Sequence, residues 1–507
     1  MQKRIFTGLI GGLVFVSIFS CFQESLSESR LKTFLDEQEE TFEQISISMG
    51  TAYWKLYTEG GETDLKTPKQ RFAALFLDED LNSILDRWYG RRDEMKDPVL
   101  KRRVELWHNI LTGAAVDLDE DILALTDRLE TWLSAGAGSE DKPSPEEMEK
   151  AVLKLMKLRN IKARERGFSD YPEMILSITG LNPDFFYSFV DILEKRTLAP
   201  YQNLLTKIKT EQNKTTVGTA DIQAMMGRFM GFKAGPRIAK EQMLPLMKET
   251  IGNIGIPFDS LPLRFEERDM PAGIGGQGFA VSIPEDFRVV VMPSLPFESR
   301  LHELGHGLQW MFTSAASPIL KGYEWSRGNS CGAFDEGMAE TMARFSKNPE
   351  WLKKYADSSE AEFLDQHAEI RKMTPAYIRF MLNMFMFEVE FYKNLDQDPS
   401  ETARMLQHRY LLIDEPLKKP KSLASMIYVS YPLYIQSYLI GDMVSWQVHE
   451  ALKNEFGKGY VFNPKVGSWL EKNLWRKGAL LPWRRRLKEA TGKDLDIEGY
   501  LRYSGIT

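Results

Sequence analysis

The chain has 507 residues, 43% hydrophobic and 27% charged, a globular composition that excludes a disordered or collagen-like protein. Its 65 basic and 72 acidic residues give a net charge of −7, and no basic block or aromatic–basic interleaving marks a nucleic-acid binder. The two cysteines, Cys21 and Cys331, exclude a disulfide framework.

The amino terminus reads as an export signal. Lys3 and Arg4 precede an apolar run from Ile5 to Phe19, then Ser20 and Cys21. The run is too short and wrongly flanked for a spanning helix. Ile18-Phe19-Ser20-Cys21 resembles a bacterial lipobox, which implies that residues 1–20 are removed and Cys21 is acylated. A plain cleaved signal or an uncleaved anchor is the simpler alternative. In each case the body of the protein acts outside the cytoplasm, in the periplasm or at the cell surface. Cys331 then reads as a small packed residue rather than a nucleophile.

Residues 24–133 are rich in Glu, Lys, Leu and Arg, with apolar residues at helical spacing. Phe34, Phe42, Ile45, Ile47, Trp54, Leu56 and Tyr57 show it, and several long helices are expected. Residues 135–145 form a Gly-, Ser- and Pro-rich break. The next helix opens with Ser144 as cap, Pro145 at its first position and Glu147 closing a capping box. Asn182-Pro183 opens another by the same logic. Short β-prone pieces follow, Leu263–Phe265, Phe279–Ile283 and Phe287–Met292, and predict one small sheet. Gly273-Ile274-Gly275-Gly276-Gln277-Gly278 matches GxGxxG. A strand-like segment follows it rather than a helix, and nothing reads as a βαβ unit, so a flexible turn is expected instead of a dinucleotide site. From about 296 to 490 helices return, broken near 313–332 and 415–423. The fold class is mainly α with one small β-sheet, and no internal repeat is visible.

The chemistry lies in Leu301-His302-Glu303-Leu304-Gly305-His306. Histidines at i and i+4 share one helix face, so both imidazoles can reach one metal ion. Glu303, beside the first, can act on a water that the metal activates. The pattern requires a third ligand on another helix, and 333–346 offers acids there. Glu336 and Glu340 share one face. One can bind zinc, and the other, a turn on, can accept a hydrogen bond from a ligand imidazole. Asp335 is the rival third ligand, and a solvated acidic face is the plain alternative. Two histidines and a carboxylate leave a coordination position open, as catalytic zinc sites do.

The segments Asp286–Arg288, Leu301–Gln309 and Gly332–Glu340 resemble the angiotensin-converting-enzyme family of gluzincin peptidases. Ser445–Leu452 resembles a further helix of that fold, and the thimet oligopeptidase family is similar too. The resemblance implies a helical, two-lobed ellipsoid with a deep central channel and the small sheet beside the HExxH helix. It implies one domain over 24–507 with lobes of roughly 24–250 and 251–507. It implies zinc held by His302, His306 and Glu336, Glu303 as general base, and Glu340 behind a ligand imidazole. The strand Phe279–Ile283 would pair with an extended oligopeptide substrate. A tyrosine opposite the zinc would stabilise an oxyanion. Tyr438 fits that place by its distance from His449, and Tyr431 matches a second tyrosine of the thimet-like branch. In the plain reading both belong to a run of core aromatics with Tyr428 and Tyr434.

The chain departs from the family pattern in several places. No histidine lies between His408 and His449, so the usual histidine donor is missing, and Tyr428 or Tyr431 is its candidate replacement. The 313–332 segment reads as an insertion. Met426 and Ile435 fall near the places where converting enzymes grip a substrate's terminal carboxylate, so cleavage within short peptides is as well supported as dipeptide release. The expected function is zinc-dependent hydrolysis of short peptides. The alternative is a zinc-containing surface lipoprotein without turnover that binds a ligand or partner.

Overall fold

The computed structural model describes residues 27–59, 66–134, 143–233, 238–270, 275–356, 359–413, 415 and 417–506. The expected signal and Cys21 lie outside these residues. Among them are twenty α-helices and one three-stranded sheet, which is the mainly α class that apolar residues at helical spacing predict. The main apolar core among them runs from Leu31 to Ile506, and Trp54, Phe279, Val281 and Val290 form a second, smaller cluster. No helix among the described residues is long and apolar enough to cross a membrane.

The helices that matter for the site are labelled in chain order. Helix α1 (Glu28–Thr58) opens on Ser27, whose hydroxyl accepts from the Arg30 amide. Helix α2 (Pro98–Asp117) is tied to α1 by a buried pair, Arg103 Nε to Glu39 Oε1 at 2.7 Å. Trp107 Nε1 donates to the same oxygen at 3.2 Å. The capping box of Ser144 and Glu147 is formed, and Asn182 caps its helix. Helix α3 (Thr219–Lys233) ends on a lysine that returns below.

The sheet comprises β1 (Leu263–Glu267), β2 (Gly276–Ser282) and β3 (Asp286–Val291), in the order β1-β3-β2. The outer strands pair with β3 in opposite senses, β1 parallel and β2 antiparallel. The β2 strand begins earlier than its apolar residues suggest. Gly276, Gln277 and Gly278 belong to it, so the turn expected there is corrected over that half. The reason is crowding. A Cβ on Gly278 would lie 2.7 Å from the Phe287 ring, and one on Gly276 2.8 Å from Glu303 Cγ. These glycines mark close approach rather than flexibility.

Helix α4 (Phe297–Met311) lies against the sheet, α5 (Gly332–Phe345) packs on α4, and α6 (Gln436–Phe456) packs on α5. Gly441 of α6 sits where a Cβ would be 2.8 Å from Glu336 Cβ and 2.9 Å from the Gly337 amide nitrogen. Backbone cannot step aside there, so Gly441→Ala should destabilise the fold by roughly 1–3 kcal/mol. A denaturant titration against the parent checks this, and an unchanged midpoint would contradict it.

Candidate metal centre

His302 and His306 stand one turn apart on α4, with ring centroids 4.9 Å apart and planes at 86°. Glu336 reaches them from α5. One ligand atom from each of the three lies within 4.8 Å of the others. This is the convergence the motif required, from two separate helices. Asp335, the rival, accepts instead from Gln309 Nε2 at 3.0 Å. Burial pushes its carboxyl up to about 6, against hydrogen bonds from Gln309 and Ser330.

The residues present fit a cation. Glu336 is only 4% exposed. Its Oε1 accepts from the Tyr434 hydroxyl at 2.7 Å. Its Oε2 is buried 3.3 Å from His302 Nε2 and has no hydrogen-bond donor. A buried carboxylate oxygen without a donor is costly, and a divalent ion shared with two imidazoles would satisfy it. Two nitrogens and one oxygen are the donor set of a catalytic zinc site, with a position left open.

The electrostatics suit that set. Burial pushes the His306 imidazole down to about 4, with Glu336 opposing, so it presents the neutral form a metal needs. Burial also works against a charged His302, but Glu336 and Glu340 outweigh it and raise that group well above its usual value. A cation bound there would compete with a proton on His302. Burial opposes an ionised Glu336, but the two histidines and the Tyr434 hydroxyl hold it below the usual range.

Glu303 faces the same space. Burial lifts its carboxyl to about 7, with His302 opposing and Glu336 adding. That value places a base near neutral pH.

Glu340 departs in detail from its expected part. Its Oε2 is 3.9 Å from His302 Nδ1, beyond hydrogen-bond range. Its other oxygen lies 3.3 Å from Lys233 Nζ, at the end of α3. Lys233 is also 3.5 Å from Asp442, which Arg344 holds at 2.6 Å. Glu340 thus faces His302 from inside a buried ion network whose lysine the sequence did not single out.

Tyr438 and Tyr431 are 43% and 46% exposed, and neither hydroxyl has a hydrogen-bond partner among the described residues. Burial raises both phenols. The charges of Glu336 and Glu303 raise Tyr438 further, which puts it near those two carboxylates. Tyr431 feels Tyr57, Glu324 and Glu130 instead. The tyrosine touching a ligand is Tyr434, between them. Tyr428 is buried beside Phe387, with ring centroids 5.7 Å apart. His449 is structural, with Nε2 donating to the Thr341 carbonyl at 2.7 Å and Nδ1 accepting from the Tyr460 hydroxyl at 2.5 Å. Burial also lifts the Cys331 thiol to about 12, which leaves it without nucleophilic character.

Tyr434→Phe removes the one donor to Glu336 Oε1. The expected result is zinc affinity weakened by about 10- to 100-fold, read by competition with a fluorescent chelator. Unchanged affinity would show that Tyr434 does not position the ligand.

No family model matches the chain, and no curated protein matches it in sequence. Solved structures do match in fold. The M32 carboxypeptidase of Deinococcus radiodurans R1 superposes with a TM-score of 0.62 at 16% identity, over 94% of this chain and 100% of that one. The Pyrococcus furiosus carboxypeptidase gives 0.63 at 16%, over 94% and 98%. PZ peptidase A gives 0.67 at 14%, over 99% and 97%. Nearly its whole length therefore shares one fold with these peptidases.

Proposed function

We propose that this chain is a zinc-dependent peptidase of the gluzincin kind that hydrolyses bonds in short peptides. The observation that carries the reading is the convergence of His302, His306 and Glu336 with Glu303 beside them, one buried Glu336 oxygen having no donor. The activities named for the superposed carboxypeptidases and PZ peptidase A support it, as does the motif resemblance to the converting-enzyme family.

His302, His306 and Glu336 would hold the ion. Zinc supplies a polarised scissile carbonyl and a more acidic water. Glu303 takes the proton from the attacking water and passes it to the leaving amine. Tyr438, exposed and near Glu303 and Glu336, donates its hydroxyl to the oxygen that gains charge. Tyr431 lies farther along and meets the substrate chain. A channel between halves of roughly 24–250 and 251–507 would admit short peptides and exclude folded proteins.

A panel of internally quenched peptides, assayed with and without a chelator, tests this. Cleavage that stops with chelation and returns with zinc is expected. No chelator-sensitive cleavage of any peptide would favour a binding protein instead. The sequence also supports export with a lipid on Cys21. Metabolic labelling with a palmitate analogue should mark the parent and not Cys21→Ser, and equal labelling would contradict the anchor.

A further inference from the structure

The outer edge of β2 ends at a carboxylate that the mechanism does not use. Backbone hydrogen bonds fix which strand groups face outward. The Phe287 amide donates to Pro262, and the Val291 carbonyl accepts from Arg268, both on the β1 side of β3. Their partners across β2, Ala280 and Gly276, therefore turn their own amides and carbonyls away from β3, as does Gly278 between them. Gly276 lies against Glu303. At the other end two side chains of the 313–332 segment meet Ala280. The Trp325 indole donates to its carbonyl at 3.4 Å, and its amide points at the Glu324 carboxylate. A peptide added to this edge thus reaches from the base at Gly276 to Glu324 at Ala280, about four residues or ~13 Å along an extended chain.

Glu324 is half-buried, so a peptide can reach it. Its Oε1 is buried with no hydrogen-bond donor, and no lysine, arginine or histidine pairs with it among the described residues. Burial holds its carboxyl up at about 8, against the Ala280 amide and with Asp335 and Glu303 adding. Tyr431 and Tyr57 stand in the same neighbourhood.

We infer that Glu324 is a specificity residue that receives a positive group of the substrate, on the amino-terminal side of the scissile bond and within about four residues of it. This rests on the peptidase reading. Charge sets the direction. An approaching ammonium favours the ionised form of Glu324 and supplies the donor that Oε1 lacks, whereas a chain-end carboxylate brings no donor and keeps Glu324 protonated. A peptide running antiparallel to β2 brings its amino end there. Two sources share this chemistry, the free α-ammonium of a short peptide and the side chain of an internal lysine or arginine.

The test uses matched quenched peptides with a free or acetylated amino terminus, and with lysine or norleucine near that end. Loss of the positive group should lower kcat/KM by about 10- to 100-fold in the parent, and Glu324→Gln should erase the preference. The arm that matters, amine or side chain, names the source. The same peptides are titrated calorimetrically into metal-loaded Glu303→Gln protein, with and without Glu324→Gln. Failure of all cleavage would sink the hydrolase reading, yet the binding preference would still decide the role of Glu324. Equal handling of charged and neutral peptides by the parent, or a preference that survives Glu324→Gln, would overturn the inference.

Discussion

Glu303→Gln should lower kcat/KM for peptide hydrolysis by about 10³-fold or more while leaving about one zinc per chain. Glutamine keeps the shape of the side chain and its packing against Gly276, where a Cβ would be 2.8 Å away. It cannot take a proton. Glu303 is not among the three converging ligands, so metal content should hold. Burial lifts its carboxyl to about 7, which makes it a stronger base than an exposed glutamate and still ionised in part at neutral pH. Steady-state kinetics with parallel metal analysis checks both halves. Retained hydrolysis would remove Glu303 from the reaction, and lost zinc would make it a ligand.

Glu336→Ala should have the second large effect, on metal binding. It deletes the only carboxylate of the ligand trio and leaves the Tyr434 hydroxyl without its acceptor. The loss of zinc affinity should exceed the roughly 100-fold upper range for removing a supporting partner, and so exceed that of Tyr434→Phe. Hydrolysis should fall with occupancy. Chelator competition on the two variants gives the order directly. A smaller loss in Glu336→Ala than in Tyr434→Phe would mean that another group holds the ion.

Local sequence carried the helical part of this account well. The i, i+4 histidines fix their own relative placement because one helix turn does so. Glu336 and Glu340 were legible as one face of a second helix. What the sequence could not show is where that helix docks. The close approach of α5 to α6 depends on Gly337 and Gly441, 104 positions apart in the chain.

Tyr434 went unrecognised for a related reason. Tyr428, Tyr431, Tyr434 and Tyr438 follow one another at intervals of three or four residues, and nothing local tells which hydroxyl meets Glu336. Tyr434 precedes α6 in a turn where Leu433 takes φ 56°, so helical spacing does not aim it. Lys233 and Glu324 were hidden likewise, since each acquires its neighbours through long-range packing. Gly276 and Gly278 read as a flexible turn because glycine is conformationally permissive, yet here bulky neighbours demand their lack of a side chain.

The most direct test is anomalous diffraction at the zinc edge from crystals of the zinc-loaded protein. The account predicts one strong peak bounded by His302, His306 and Glu336, with the Glu336 oxygen that has no donor among its ligands. A peak elsewhere, or none with Glu336 turned from the histidines, would contradict it.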